Sequence, residues 1–98
     1  MPRYLIERQF VVREDEMPEV GRRSRRIVEE SFPEIIWEHS HVCVDETGGV
    51  KTYCVYGAPS ENMVREHAQQ LGFHEILALS EIAGDVTPAD FPPLTIAG

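Results

Sequence analysis

Two kinds of hydrophobic periodicity alternate along this chain of 98 residues. Four segments are rich in β-branched and aromatic side chains and are predicted to be strands: residues 3–12, 35–45, 50–57 and 74–83. Two intervening segments repeat their apolar positions every three or four residues, as amphipathic helices do. The predicted order is therefore strand, helix, strand, strand, helix, strand.

Both predicted helices have recognisable ends. Pro18 suits the first turn of the first helix, which runs to about residue 31 before Pro33 closes the segment. Ser60 is the predicted N-cap of the second helix, and Gly72 is its predicted C-terminal cap. Each helix thus has one apolar stripe with which to cover a sheet.

This order of elements is that of the split βαβ, ferredoxin-like unit. It predicts an α+β sandwich in which a four-stranded antiparallel sheet carries both helices on one face. Residues 1–83 complete the unit, and residues 84–98, which hold three prolines and no basic residue, are expected to form an extended tail. The other face of the sheet stays open, and we expect a second copy of the chain to cover it, which gives a homodimer.

Charge and hydropathy narrow the possible partners. Asp and Glu number 17 against 9 Lys and Arg, so the formal net charge is −8. A net-acidic domain repels phosphates, and the cluster of four arginines in residues 22–26 is offset by glutamates on the same helix, so no nucleic-acid partner is expected. No apolar run approaches the roughly 20 residues that span a bilayer. We expect no membrane partner and a cytoplasmic location.

A group of potential metal ligands is predicted on the open face of the sheet. His39 and His41 are two residues apart on one strand, so their side chains share a face at a spacing of ~6.5–7 Å. Alternation along the strands places Glu7, Cys43 and Trp37 on the same face. Two imidazoles at this spacing can chelate zinc, nickel or copper. Metal binding has an alternative for each kind of residue. The two histidines could instead pack at a dimer interface, and Glu7 could instead pair with an arginine.

The hairpin between the second and third strands has two possible registers. If residues 46–48 form a three-residue loop with a bulge at the final glycine, Cys43 faces Lys51 and Cys54 points to the helices. If residues 48–49 form a two-residue turn, Cys43 lies opposite Cys54, within bridging distance. We favour the first register, and in a reducing compartment we expect two free thiols.

Two further histidines lie outside this group. His67 falls in the apolar stripe of the second helix, where a histidine is usually a core residue. The alternative is that it hydrogen-bonds the layer of Ser40 or Cys54 and tunes the sheet. His74 begins the last strand and is expected to be exposed.

Several short motifs, taken together, resemble a known family. Over about residues 2–83 the chain is similar to the small bacterial nickel-binding, nickel-responsive proteins with a ferredoxin-like fold. The motifs are Pro2-Arg3-Tyr4-Leu5-Ile6-Glu7-Arg8, Trp37-x-His39-Ser40, the run from Lys51 to Pro59, and Val64-Arg65-Glu66-His67-Ala68. The resemblance implies a dimer that binds nickel at its surface and sequesters it. Glu7, His39 and His67 match the family pattern, whereas His41 and Cys43 are candidates from strand geometry alone.

The leading hypothesis is a non-enzymatic homodimer that binds nickel, with other divalent transition metals as alternatives. A second hypothesis is a small dimeric enzyme whose open-face pocket uses His39 or His41 as acid or base. The third is a ligand-sensing interaction module. The sequence contains no P-loop, GxGxxG, CxxC, HExxH or GxSxG motif, so no familiar catalytic pattern favours the enzyme.

Overall fold

The computed structural model describes residues 1–94 and contains the predicted elements in the predicted order. Short 3-10 turns at Glu14–Glu16 and Pro88–Asp90 accompany them. The strands and helices are β1 (Arg3–Phe10), α1 (Met17–Ser31), β2 (Ile36–Val44), β3 (Val50–Gly57), α2 (Glu61–Leu71) and β4 (His74–Glu81).

The four strands form one antiparallel sheet with the order β2-β3-β1-β4. Because the two βαβ units interleave in this order, β1 and β3 lie at the centre and β2 and β4 at the edges. The prediction of an α+β, ferredoxin-like sandwich is confirmed.

The core lies between the helices and one face of the sheet. In the central strands, alternate residues point to the helices and are buried, as the period of two requires. The helix-side residues of β1 and β3 are Tyr4, Ile6, Arg8, Phe10, Val50, Thr52, Cys54 and Tyr56. The opposite, open face is more exposed, with 44% of Leu5 accessible. One face of the sheet is therefore buried and the other is exposed, so the environment of each candidate residue depends on the face on which it lies.

The hairpin adopts the favoured register. Cys43 pairs with Lys51, and His41 pairs with Tyr53. Gly48 has φ of +85°, which is the left-handed conformation that the final residue of this loop requires and glycine adopts without strain. Cys43 is therefore exposed on the open face and Cys54 is buried on the helix side, and both thiols are free.

The predicted faces of Ile36, on the helix side, and of Trp37, on the open side, are both wrong. A register shift between Trp37 and His39 places an extra residue in β2, so the alternation predicted across this stretch is interrupted. Trp37 turns to the helix side, where it pairs with Tyr56 and packs against the core. Ile36 correspondingly pairs with Gly57 on the open face and is 57% exposed.

The C-terminal segment begins as an extension of the sheet. The backbone N–H of Ile82 donates to the carbonyl of Arg3 at 2.7 Å, and the Asp85 carboxylate pairs with the Arg3 guanidinium at 2.7 Å. Residues 84–94 are exposed. The division of the chain after residue 83 stays a prediction, and the last four residues of the predicted tail lie outside the described part. Within residues 1–94, no helix is long and apolar enough to cross a membrane.

Removal of the α2 N-cap should weaken the fold. The Ser60 side-chain oxygen accepts a hydrogen bond from the backbone N–H of Met63 at 3.2 Å, as predicted for this position. Ser60→Ala leaves that N–H without its partner, so we expect the free energy of unfolding to fall by about 1 kcal/mol. Urea denaturation measures the change. Ser60→Asp, which retains an acceptor, is the control, and an equal loss in both variants would contradict the capping role.

Candidate functional site

Two imidazoles lie side by side on the edge strand β2. His39 and His41 are both exposed on the open face, where they pair across the ladder with Val55 and Tyr53. Their ring centroids are 5.4 Å apart, and the rings meet edge to face. The predicted pairing of these side chains on one face is therefore present. Neutral imidazole nitrogens at this separation are suitable ligands for one divalent transition metal.

Cys43 continues this row of donors along β2. It is exposed and lies on the same face as His41, two residues further along the strand. Its partner across the ladder is Lys51. Within residues 1–94 no group of three or more His, Cys, Asp or Glu side chains has a metal-binding arrangement. A single chain thus offers two adjacent ligands, and a complete coordination shell needs others.

Glu7 shares the open face but lies on β1, with β3 between it and the histidines. Its Oε2 accepts hydrogen bonds from the Lys51 ammonium and the Tyr53 hydroxyl, each at 3.3 Å. Glu7 therefore pairs with a lysine and a tyrosine and not with an arginine, which was the alternative. The hydrogen bond and negative charge of Glu7 raise the pKa of Lys51. Glu7 and His41 both pair with Tyr53, so two strand spacings, about 9–10 Å, separate their backbones. Within residues 1–94 they belong to no common metal-binding group.

The structure does not bring His67 together with the other four candidates. It is fully buried on α2, beneath the helix-side face of the sheet. Its Nε2 lies 3.2 Å from the Ser24 hydroxyl of α1, so the considered partners Ser40 and Cys54 are replaced by a residue of the neighbouring helix. Burial, and next the positive charge of Arg8, lower the pKa of His67 to about 4, which keeps the ring neutral near neutral pH.

His74 was expected to be exposed, but it packs into the sandwich. Its ring stacks on Phe10 with centroids 4.8 Å apart, and its Nδ1 lies 2.7 Å from the Gly72 carbonyl oxygen. Burial lowers its pKa. It belongs to the helix side and is remote from the open-face histidines, which makes it a useful control residue.

Sequence reasoning missed a second polar centre on the helix side. Arg8 is 1% exposed, and its guanidinium lies over the Tyr56 ring at 5.0 Å from the centroid. It borders a cavity that neither His39 nor His41 lines, so this cavity is not the open-face pocket of the enzyme hypothesis. The sequence gives one indication that Arg8 is buried. In the alternation of β1, Arg8 falls on the same face as the core residues Ile6 and Phe10.

Comparison with known proteins identifies the family. The fold and the candidate site define the class of protein: a small α+β sandwich with a pair of exposed histidines on its sheet. Residues 4–75 match the family model described as "Nickel responsive protein SCO4226-like". Since the match spans most of the chain, the protein belongs to this family. Among curated proteins, none matches significantly.

A solved structure independently supports the fold. The chain is similar to the solution structure of the C-terminal domain of the MgtC protein from Mycobacterium tuberculosis, with a TM-score of 0.58. The alignment covers 86% of this chain and 88% of that one. At 9% identity this similarity shows the architecture and carries no function with it.

Proposed function

We propose that the protein is a non-enzymatic nickel(II)-binding homodimer, and that His39 and His41 are its principal ligands. The observation that carries the proposal is the pair of exposed imidazoles with centroids 5.4 Å apart on one strand. Membership of a family described as nickel responsive supports the choice of ion. The role that follows is to sequester nickel or to respond to it.

The ligand chemistry fits a borderline ion. Imidazole nitrogen suits nickel, copper and zinc, whereas magnesium and calcium prefer oxygen. Intrinsic affinity rises from nickel to copper, so these two histidines alone do not select nickel. The family description favours nickel, and copper and zinc are therefore the competing ions in the test.

A second copy of the chain would complete the site. The open face presents Leu5 and Ile36, which are 44% and 57% exposed, and such apolar surface on a sheet is a suitable dimer interface. Two open faces that pack together by a two-fold axis would bring two histidine pairs into one interface. Glu7 and Cys43 are the additional donors on that face. In this arrangement His67, beneath the sheet, supports the fold and does not bind the ion.

Loss of the histidine pair should strongly weaken nickel binding. We expect His39→Ala with His41→Ala to weaken nickel binding by at least about 100-fold, about 2.7 kcal/mol, because both imidazole ligands are removed. Isothermal titration calorimetry on metal-free protein without a histidine tag measures the effect, with copper and zinc titrated in parallel. His74→Gln removes an imidazole on the opposite side of the sheet and should leave the affinity unchanged.

Two outcomes would contradict the proposal. If the double variant binds nickel as the wild type does, the ligand assignment is wrong. If sedimentation gives the mass of one subunit both with and without nickel, the homodimer is wrong. A double variant that retains the dimer and loses nickel supports both parts.

A further inference from the structure

A cavity of about 390 Å³ lies on the helix side of the sheet, between α1 and the strands. Its walls are mainly apolar, and they include Phe10, Met17, Val20, Trp37, Tyr56 and Leu71. This volume falls within the usual range of small-molecule sites, about 300–1,000 Å³.

The cavity exists because α1 presents small residues to the sheet at this point. Gly21 and Ser24 lie one turn apart on the inner side of the helix and both line the space. A Cβ atom added at Gly21 would meet nothing within 4 Å. The exposed lining residues are Glu14, Pro18 and Val42, so the mouth lies between the start of α1 and the edge strand β2.

One buried charge borders this cavity without a carboxylate counter-ion. Arg8 is 1% exposed, and its Nε and Nη2 have no hydrogen-bond partner within residues 1–94. No ion pair joins it to a carboxylate of that part of the chain. A guanidinium keeps its charge in proteins, and burial of that charge is costly. The contact with the Tyr56 ring offsets part of this cost, and a paired anion would offset more of it. Nε–H and one N–H of Nη2 form a fork that matches a carboxylate. Both nitrogens are buried, so the guanidinium has to turn towards the cavity to reach a ligand.

We propose that this cavity binds a small amphipathic monocarboxylate, with its carboxylate paired to Arg8 and its apolar body against Met17, Val20 and Trp37. The apolar walls favour an aliphatic or aromatic chain over a hydrated ion. Arg8 is the lone basic side chain among the lining residues, and the Glu14 carboxylate at the mouth disfavours a doubly charged anion. The site lies across the sheet from His39 and His41, so it is independent of nickel.

Octanoate is a suitable probe because its carboxylate and seven-carbon chain match the available space. Trp37 is the single tryptophan of the sequence and lines the cavity, so its fluorescence reports occupancy directly. We expect octanoate to shift the Trp37 emission and to raise Tm. Octan-1-ol and octylammonium are the matched controls. Because they lack the anion, they should bind at least about tenfold more weakly, the ratio that a charge-assisted hydrogen bond provides.

Two pairs of variants test the assignment. Arg8→Met keeps an unbranched apolar stem and removes the charge, so octanoate should lose at least about tenfold in affinity while octan-1-ol is unaffected. Gly21→Leu fills the cavity and should exclude octanoate, whereas Gly21→Ala should improve helix propensity and retain binding. The second pair keeps the proposal testable even if Arg8→Met fails to fold.

Three results would overturn the proposal. Equal affinity for octanoate and octan-1-ol would show an apolar cavity without carboxylate recognition. The same rise in Tm with chloride or sulfate would show that Arg8 accepts any small anion. No response of Trp37 or of Tm to octanoate up to its solubility would show that the cavity takes no such ligand.

Discussion

Shortening Ile6 to alanine should lower the free energy of unfolding by about 2–5 kcal/mol. Ile6 lies in the middle of β1 on the helix side, is 0% exposed, and belongs to the core cluster with Tyr4, Cys54 and Tyr56. The removed carbons leave a cavity that close-packed neighbours fill only in part. Urea denaturation followed by circular dichroism measures the loss.

Leu5→Ala is the matched control, since it removes a similar volume one residue away. Leu5 is 44% exposed on the open face, so we expect its truncation to lower monomer stability by less than about 1 kcal/mol. Both variants are compared at a concentration where sedimentation shows monomer, because dimerisation through the open face would add to apparent stability. Equal losses at the two positions would contradict the assignment of the sheet faces.

This contrast between neighbours also explains why much of the fold could be predicted from the sequence. One face of the sheet is buried and the other open, so β1 alternates between core residues such as Ile6 and open-face residues such as Glu7. Gly48 similarly has a local reason for its position, since the loop needs a positive φ there. Strand order and hairpin register follow from such local rules once the order of elements matches a known unit.

The error at Trp37 has a physical origin of a different kind. A large aromatic side chain fits either face of a sheet, and residues 36–39 contain no glycine that would mark a bulge in advance. Two contacts hold Trp37 on the helix side: its Nε1–H donates to the hydroxyl of Ser40 on the same strand at 2.9 Å, and its ring lies near Tyr56 of β3. Neither contact follows from the two-residue alternation by which the strand was assigned to its faces.

The same distinction between local spacing and tertiary packing applies to the candidate site residues. His39 and His41 could be placed on one face from their spacing alone, because both lie in a single strand, where alternate side chains share a face. The separation of His67 from them required knowledge of which side of the sheet α2 covers. Burial of Arg8 runs against the usual exposure of arginine, so its parity on β1 was the sole indication, and the cavity beside it depends on the packing of α1.

The buried His67 should make the protein lose stability in mild acid. Its pKa falls from 6.5 to about 4 on folding, so the unfolded chain binds the proton more tightly than the folded one. The stabilisation of the neutral ring is complete above pH 6.5 and is lost as the pH falls towards 4, by about 3 kcal/mol in total. Between pH 7 and pH 5 we expect this residue to contribute about 2 kcal/mol of the loss.

His67→Gln isolates that contribution. Glutamine does not titrate and keeps a polar group towards the Ser24 hydroxyl, so the variant should lose about 2 kcal/mol less than the wild type between pH 7 and pH 5. The quantity compared is the change in the free energy of unfolding with pH, because the substitution also alters packing at every pH.

Other titrating groups contribute separately. His74, whose pKa is lowered as well, leaves a residual dependence on pH of the same sign. The lowered pKa values of Glu19, Glu38 and Asp45 affect stability below pH 4.5, outside this window. Parallel curves for wild type and variant would show that His67 does not control the acid response, and a shallower curve for His67→Gln would identify the ring as its source.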